Sequence, residues 1–362
     1  MVVDDSAVIR AMICDNIGST SDMEVAGTAR SGEKALEVFE SVHPDVVTLD
    51  VQMPGMDGLE TLDSLLTRHP VPVIMVSSLT RAGADVTLDA LERGALDYIA
   101  KPERGADAKE VLGEKLLRTI RSAAGTNVGR ILQIRRDRKQ RRAEQGTRKA
   151  VPTKQFDTAP EELADKCIAI GISTGGPPAL ASLFETLQPP MPGIVVVQHM
   201  PASFTKPFAW RLNSLSSLSI KEATIGDSLR PNHVLIAPGG SHLKLRGRGK
   251  FVKVLLNDGP TVSSHKPSVD VLMADVARIF GNRCLGVIMT GMGRDGAQGC
   301  ADIRAAGGYV LGQDEATSDV YGMNKVAHVE GNVDQQFGLS HAAGVIGNQV
   351  KRLWCRAPVG VR

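Results

Sequence analysis

The sequence predicts two α/β units in tandem, each built on a parallel sheet. Three observations carry this. Short, wholly apolar runs recur along the chain, segments with helical spacing separate them, and the conspicuous polar residues stand immediately after the runs. In the first unit, residues 1–122, the runs are Val46-Val47-Thr48-Leu49, Val73-Ile74-Met75-Val76 and the weaker Tyr98-Ile99. Leu59, Leu62, Leu65 and Leu66 mark a helix face between two of them. Strands covered on both faces read as continuous apolar runs, and parallel sheets are covered in that way. Asp4-Asp5, Asp50, Ser77-Ser78 and Lys101-Pro102 fall at strand ends, where open α/β sheets gather ligands and reacting groups. Only Val2 and Val3 precede Asp4, so the first strand is expected to be short, with the start displaced into it.

The pattern fails from residue 123 to 160. Arg135-Arg136-Asp137-Arg138-Lys139-Gln140-Arg141-Arg142 is strongly basic and poor in apolar residues, which reads as a solvated linker with some helix. The second unit, residues 161–352, is expected to be a doubly wound, mostly parallel α/β domain. Its strands are Cys167-Ile168-Ala169-Ile170, Ile194-Val195-Val196-Val197 and Leu285-Gly286-Val287-Ile288-Met289.

At 362 residues, 42% hydrophobic and 23% charged, the chain has enough apolar content for two cores of ordinary soluble composition. A net charge of +2 makes the whole molecule a poor polyanion binder, and no nucleic-acid partner is expected. Five scattered cysteines without a C-x-x-C pair argue against a disulfide framework and a zinc site. No apolar segment reaches the length of a membrane span, so no membrane insertion and a reducing, cytoplasmic location are expected.

Asp4, Asp5 and Asp50 at neighbouring strand ends would repel one another without a hard cation among them, and magnesium suits such an oxygen set. A carboxylate there can accept a phosphoryl group as an acyl phosphate. Lys101 would neutralise a phosphoryl oxygen, and Ser77 offers it a hydroxyl. Singly, an Asp-Asp pair or a Lys-Pro pair is more often a turn. Jointly, Asp-Asp, then Leu49-Asp50-x-x-Met53-Pro54-x-Met56-Asp57-Gly58, then Ser77, then Lys101-Pro102 resembles the receiver domain of two-component response regulators, a (βα)5 unit. The resemblance implies that a histidine kinase phosphorylates Asp50. It also implies that magnesium is held by Asp5, Asp50 and the Gln52 backbone carbonyl with Asp4 acting through water, and that Ser77 and Lys101 are the switch residues.

In the second unit, Gly171-Ile172-Ser173-Thr174-Gly175-Gly176 forms a tight turn between a strand and a helix. Such turns more often bind phosphate than carry a nucleophile. Serine also needs a base. His199 ends the next strand and Asp295 follows a later one, so a Ser-His-Asp centre is available. Amides at the helix start could hold an oxyanion. The G-x-S-x-G elbow of α/β-hydrolases is also satisfied, but its chain order would require His328 or His341 as base, and neither follows a clear strand.

Six motifs occur in order: the Ser173 turn, Gln198-His199-Met200-Pro201, Ala237-Pro238-Gly239-Gly240-x-His242, Asn257-Asp258-Gly259-Pro260, His265-x-Pro267-Ser268-Val269-Asp270-Val271-Leu272 and Thr290-Gly291-Met292-Gly293-x-Asp295-Gly296. Together with the receiver they resemble the protein-glutamate methylesterase domain of the chemotaxis CheB family. The resemblance implies Ser173 as nucleophile, His199 as base, Asp295 as its orienting partner and the Met292 amide in the oxyanion hole. It implies methyl-accepting chemoreceptors as substrates, methanol as a product, accompanying deamidation of receptor glutamines, and no cofactor for the ester reaction. A monomer is expected, with phosphorylation relieving a cover of the second unit by the first. Gly322-Met323-Asn324 stands where the family usually has Gly-Met-Pro, and loss of the ring is expected to loosen that loop.

Overall fold

The structure is a computed structural model that describes residues 1–78, 80–101, 106–144 and 161–355. The chain divides into two compact units, Met1–Gly146 and Thr147–Arg362. The first follows the order β1 (Val2–Val3), α1 (Ala7–Gly18), β2 (Thr28–Ala29), α2 (Gly32–Val42), β3 (Val47–Asp50), α3 (Gly58–Arg68), β4 (Val73–Ser77), α4 (Arg81–Arg93), β5 (Asp97–Ala100), α5 (Ala106–Ala124) and α6 (Val128–Glu144). Its five strands pair in parallel in the order β2-β1-β3-β4-β5. Strand order reverses between β1 and β3, and ligands of open α/β sheets collect at such reversals. Short as it is, β1 pairs on both sides, and the Met1 amino group adds a bond of 2.8 Å to the Val46 carbonyl.

Local rules account for the helices. Asp57 and Glu60 form a reciprocal capping box at the start of α3, and Leu62, Leu65 and Leu66 are its buried stripe. Part of the segment expected as linker is the helix α6. Val128, Ile131 and Leu132 bury one side of it, and Arg138 reaches Glu92 of α4 at 3.2 Å. Apolar residues at this spacing within the first helical turns are enough to dock a helix whose remaining composition is basic. The expected linker's first residues, 123–124, close α5, whereas its residues 145–160, and Pro102, lie outside the described residues.

The second unit continues with β6 (Cys167–Ile172), α7 (Gly176–Thr186), β7 (Gly193–Gln198), α8 (Ala202–Leu215), β8 (Ser219–Glu222), β9 (His233–Ile236), β10 (His242–Arg248), β11 (Phe251–Asn257), α9 (Val269–Phe280), β12 (Cys284–Ile288), α10 (Ala297–Ala305), β13 (Tyr309–Gln313), α11 (Met323–Val329), β14 (Gln335–Phe337) and α12 (Ala342–Trp354). Seven strands pair in parallel in the order β14-β13-β12-β6-β7-β9-β8, and β10 and β11 form a separate antiparallel ribbon. Here the reversal lies between β12 and β6. Fully buried β6, β7 and β12 supply much of the core, and the ribbon adds Leu243, Leu245, Val252 and Val254. Gly171 permits a close approach: a Cβ there would lie 2.2 Å from Val269 Cγ1, so any larger residue would push the start of α9 off the strand.

The five cysteines are free thiols. Among the described residues, no helix is long and apolar enough to cross a membrane.

Candidate active site and phosphoacceptor site

In the first unit, Asp4 follows β1 and Asp50 ends β3, and both are buried. Lys101, just beyond β5, places Nζ 3.1 Å from Asp4 Oδ2 and 2.7 Å from Asp50 Oδ2. Burial pushes the Asp4 and Asp50 carboxyls above their ordinary values, against the pull of Lys101. Burial works to lower Lys101, but the two carboxylates outweigh it and hold the ammonium above its usual value. Two desolvated carboxylates that share one ammonium still favour more positive charge. Asp4, Asp5 and Asp50 offer oxygens within 4.8 Å of one another, a hard donor set that fits magnesium. Gln52 donates its N–H to Asp50 Oδ1 at 3.2 Å, which fixes the loop that carries the Gln52 carbonyl. Ser77 lies on the strand beside Asp50, but its hydroxyl is 3.3 Å from the carbonyls of Ser78 and Gly83 and is not joined to Asp50.

In the second unit, β6 ends at Ile172 in register with Gln198 of β7. Ser173 and His199 are therefore the next residues on adjacent strands, and the His199 N–H donates to the Ile172 carbonyl at 3.2 Å. The Gln198 amide donates to the carbonyls of both Ser173 (3.0 Å) and His199 (3.2 Å), tying the two strand ends together. Ser173 also lies against Gly291 beyond β12. A Cβ at 291 would come within 2.8 Å of Ser173 Cβ, so only glycine leaves this approach open.

His199 Nε2 lies 2.8 Å from Asp295 Oδ2. A carboxylate only accepts, so this bond fixes the proton on Nε2 and leaves the lone pair on Nδ1. Nδ1 is buried and has no partner. The carboxylate-bound nitrogen is thus the opposite one from that in serine proteases, with the same division of labour. The Ser173 hydroxyl makes no hydrogen bond to the imidazole; such bonds often tighten only when substrate is bound.

Asp295 is held by more than the histidine. Its carboxylate also accepts from Ser268 Oγ (2.8 Å), Val269 N (2.8 Å) and Asp270 N (3.0 Å), at the N-terminus of α9. Free amides and the helix dipole favour negative charge there. Burial alone would raise the Asp295 carboxyl; His199 and these amides outweigh it and hold it below the usual carboxylate range. Asp270 in turn accepts from Gly296 N and Gly299 N at 2.8 Å each. Burial, joined by the neighbouring Asp295 charge, pushes Asp270 above its ordinary value despite those amides. A carboxyl with a raised folded-state value gives stability that is complete below its unfolded value and is lost as pH rises through the folded one. Asp270→Asn should therefore melt higher than the parent at about pH 8, and the gap should close at about pH 4. Melting curves at the two pH values check this, and a gap that does not depend on pH would contradict it.

At the helix start expected to offer amides to an oxyanion, the first helical turn supplies few free N–H groups. Pro177 and Pro178 open α7 without N–H groups, and the Gly176 N–H already donates to the Ser173 carbonyl at 2.8 Å. The Met292 N–H, in the loop packed on Ser173, makes no hydrogen bond among the described residues. The loop expected to loosen at Asn324 is instead tied down. Asn324 is fully buried, and its amide donates at 2.8 Å to the Gln313 carbonyl and to Ser318 Oγ, so two bonds do the fixing a proline ring would have done. His328 and His341 are exposed and are not joined to Asp295, so the α/β-hydrolase chain order is not met.

The sequence reading did not assign Ser268, Gln198 or His265 a role, although all three lie in the motifs. The signal for Ser268 was available: a serine before an apolar run of helical spacing marks a helix start, and a buried carboxylate is well placed there.

Residues 168–346 match the model described as CheB methylesterase, and residues 1–112 match the response regulator receiver domain. A protein-glutamate methylesterase/protein-glutamine glutaminase of Pectobacterium atrosepticum is 43% identical over 336 residues, 92% of each chain. A second, from Xanthomonas oryzae pv. oryzae, is 43% identical over 97% of this chain and all of its own (100%). The crystal structure of the Thermotoga maritima CheB methylesterase catalytic domain superposes with a TM-score of 0.50 at 37% identity, over 51% of this chain and 98% of that one.

Proposed function

The chain belongs to the CheB family of protein-glutamate methylesterases/protein-glutamine glutaminases, and from that premise we propose that it hydrolyses glutamate methyl esters on chemoreceptors under the control of Asp50 phosphorylation. The observation that carries this reading is the His199–Asp295 pair at 2.8 Å, on the strand rim beside Ser173, with Nδ1 left as a buried base. Ser173 Oγ attacks the ester carbonyl and its proton passes to His199 Nδ1. The Met292 N–H receives the developing oxyanion. His199 then protonates the departing methoxide, which leaves as methanol. Water, activated by the same nitrogen, releases the glutamate. A glutamine side chain follows the same course with ammonia as the leaving group, which accounts for the paired activity in the relatives' names.

In the first unit, Asp50 is the phosphoacceptor and a histidine kinase is the donor. Asp5, Asp50 and the Gln52 carbonyl, with Asp4 through water, would hold magnesium, which would supply positive charge for phosphoryl transfer. Lys101 supplies further charge, and Ser77 turns from Gly83 toward the new phosphate. Methanol release from methylated receptor membranes tests the whole reading. A small phosphodonor with magnesium should raise the rate at least about tenfold, and Asp50→Asn or removal of magnesium should abolish the rise without touching the basal rate. Equal stimulation of Asp50→Asn would overturn the regulatory assignment.

A further inference from the structure

The catalytic imidazole does not stand alone at the rim. The ring of His265 stacks on that of His199 with centroids 3.7 Å apart and planes 11° from parallel. Val262, Ser263, Ser264 and His265 form a tight turn closed at both ends, Val262 N to His265 O at 3.0 Å and His265 N to Val262 O at 2.9 Å. Its two central residues, Ser263 and Ser264, have φ of 52° and 64°, left-handed values that favour glycine or asparagine. Two consecutive serines in that region cost backbone energy, and such strain collects where geometry serves a site. The Ser263 carbonyl then accepts from His265 Nδ1 at 2.6 Å, which fixes the second ring's orientation and its tautomer. Lys266, the next residue, braces the turn through the carbonyls of Asp258 (3.3 Å) and Gly259 (3.2 Å).

We propose that His265 is a positioning residue for catalysis, which acts through His199 by stacking on its face. Resting on the proposed esterase reading, this role has two physical parts. Nε2 of His199 is already tied to Asp295, so the ring retains one main freedom, rotation about that bond. A parallel ring at 3.7 Å removes this freedom and holds Nδ1 in one position. His199 becomes an imidazolium as it takes the Ser173 proton, and the π face of an aromatic ring attracts a cation. The contact is therefore stronger in the transition state than before it, which raises kcat rather than affinity. His265 also lies over a ring that is only 8% exposed, so it helps keep water off the base.

The test uses the phosphorylated full-length chain and measures kcat and KM for methanol release, together with the rate at which a fluorophosphonate labels Ser173. His265→Ala is expected to lower kcat and the labelling rate about 10- to 100-fold, with KM within about twofold and an unchanged melting temperature. His265→Phe keeps a flat ring and should recover most of the loss. An alanine variant within about twofold of the parent kcat would overturn the role. So would a phenylalanine variant that melts like the parent and is no better than alanine, or a rise in KM at constant kcat. Ser173→Ala is run beside them. If it keeps full activity, the esterase site itself has been misread, a failure distinct from an innocent His265.

Discussion

Replacing Ser173 with alanine is expected to remove methanol release almost completely, by about a millionfold in kcat. Ser173 is the hydroxyl placed one residue beyond the β6–β7 register, tied by the Gln198 amide to the strand end that carries His199, and packed on the loop that presents the Met292 N–H. Without its oxygen no acyl-enzyme forms, and the remaining charge arrangement can only assist water. The substitution removes one half-buried hydroxyl that makes no structural hydrogen bond, so folding should be unaffected. Methanol assay and thermal melting on the same preparation separate the two outcomes. Retention of more than about a tenth of the parent rate with an intact fold would dismiss Ser173 as nucleophile.

Asp295→Asn should produce the next largest loss, about ten-thousandfold in kcat. An asparagine can turn its amide N–H toward His199 Nε2, which makes Nε2 the acceptor and sends the ring proton to Nδ1. The base nitrogen is then blocked although nothing has moved. Unlike the serine change, this one should also cost stability. Ser268 Oγ, Val269 N and Asp270 N lose a charged acceptor at the start of α9, and charge-assisted bonds contribute about 1.5–3 kcal/mol each. An imidazole NMR spectrum reporting the Nδ1–H form, beside a lowered melting temperature, is the expected pair of readouts. A fall in kcat smaller than about tenfold would argue that Asp295 does not orient the base.

The central strands of both sheets were legible in the sequence because buried parallel strands leave continuous apolar runs, and these strands lie where Val47, Val73, Cys167, Ile194 and Leu285 mark them, whereas the outer strands β2, β8, β9, β13 and β14 were not foreseen. The family was legible from ordered motifs. The antiparallel β10–β11 ribbon was not foreseen, because Lys244, Arg246 and Lys253 alternate with its buried residues and dilute the apolar signal. Docking of α6 was hidden for a related reason: Val128, Ile131 and Leu132 are outnumbered by charges along the same helix. Pairwise geometry was the least accessible. No spacing reveals that a strained serine turn lays His265 on His199, or that the histidine nitrogen bonded to the acid is Nε2, since both depend on segments brought together only by the sheet.

The contact between Gly171 and Val269 has a consequence for durability. The strand that leads into the nucleophile lays the bare backbone of Gly171 on the Val269 side chain at the start of the helix that fixes the acid, so neither can shift while the other stays. Such an assembly has no loosely attached component to fray first. Heat should then cost the enzyme its activity in a single event, at the temperature where the second sheet itself comes apart.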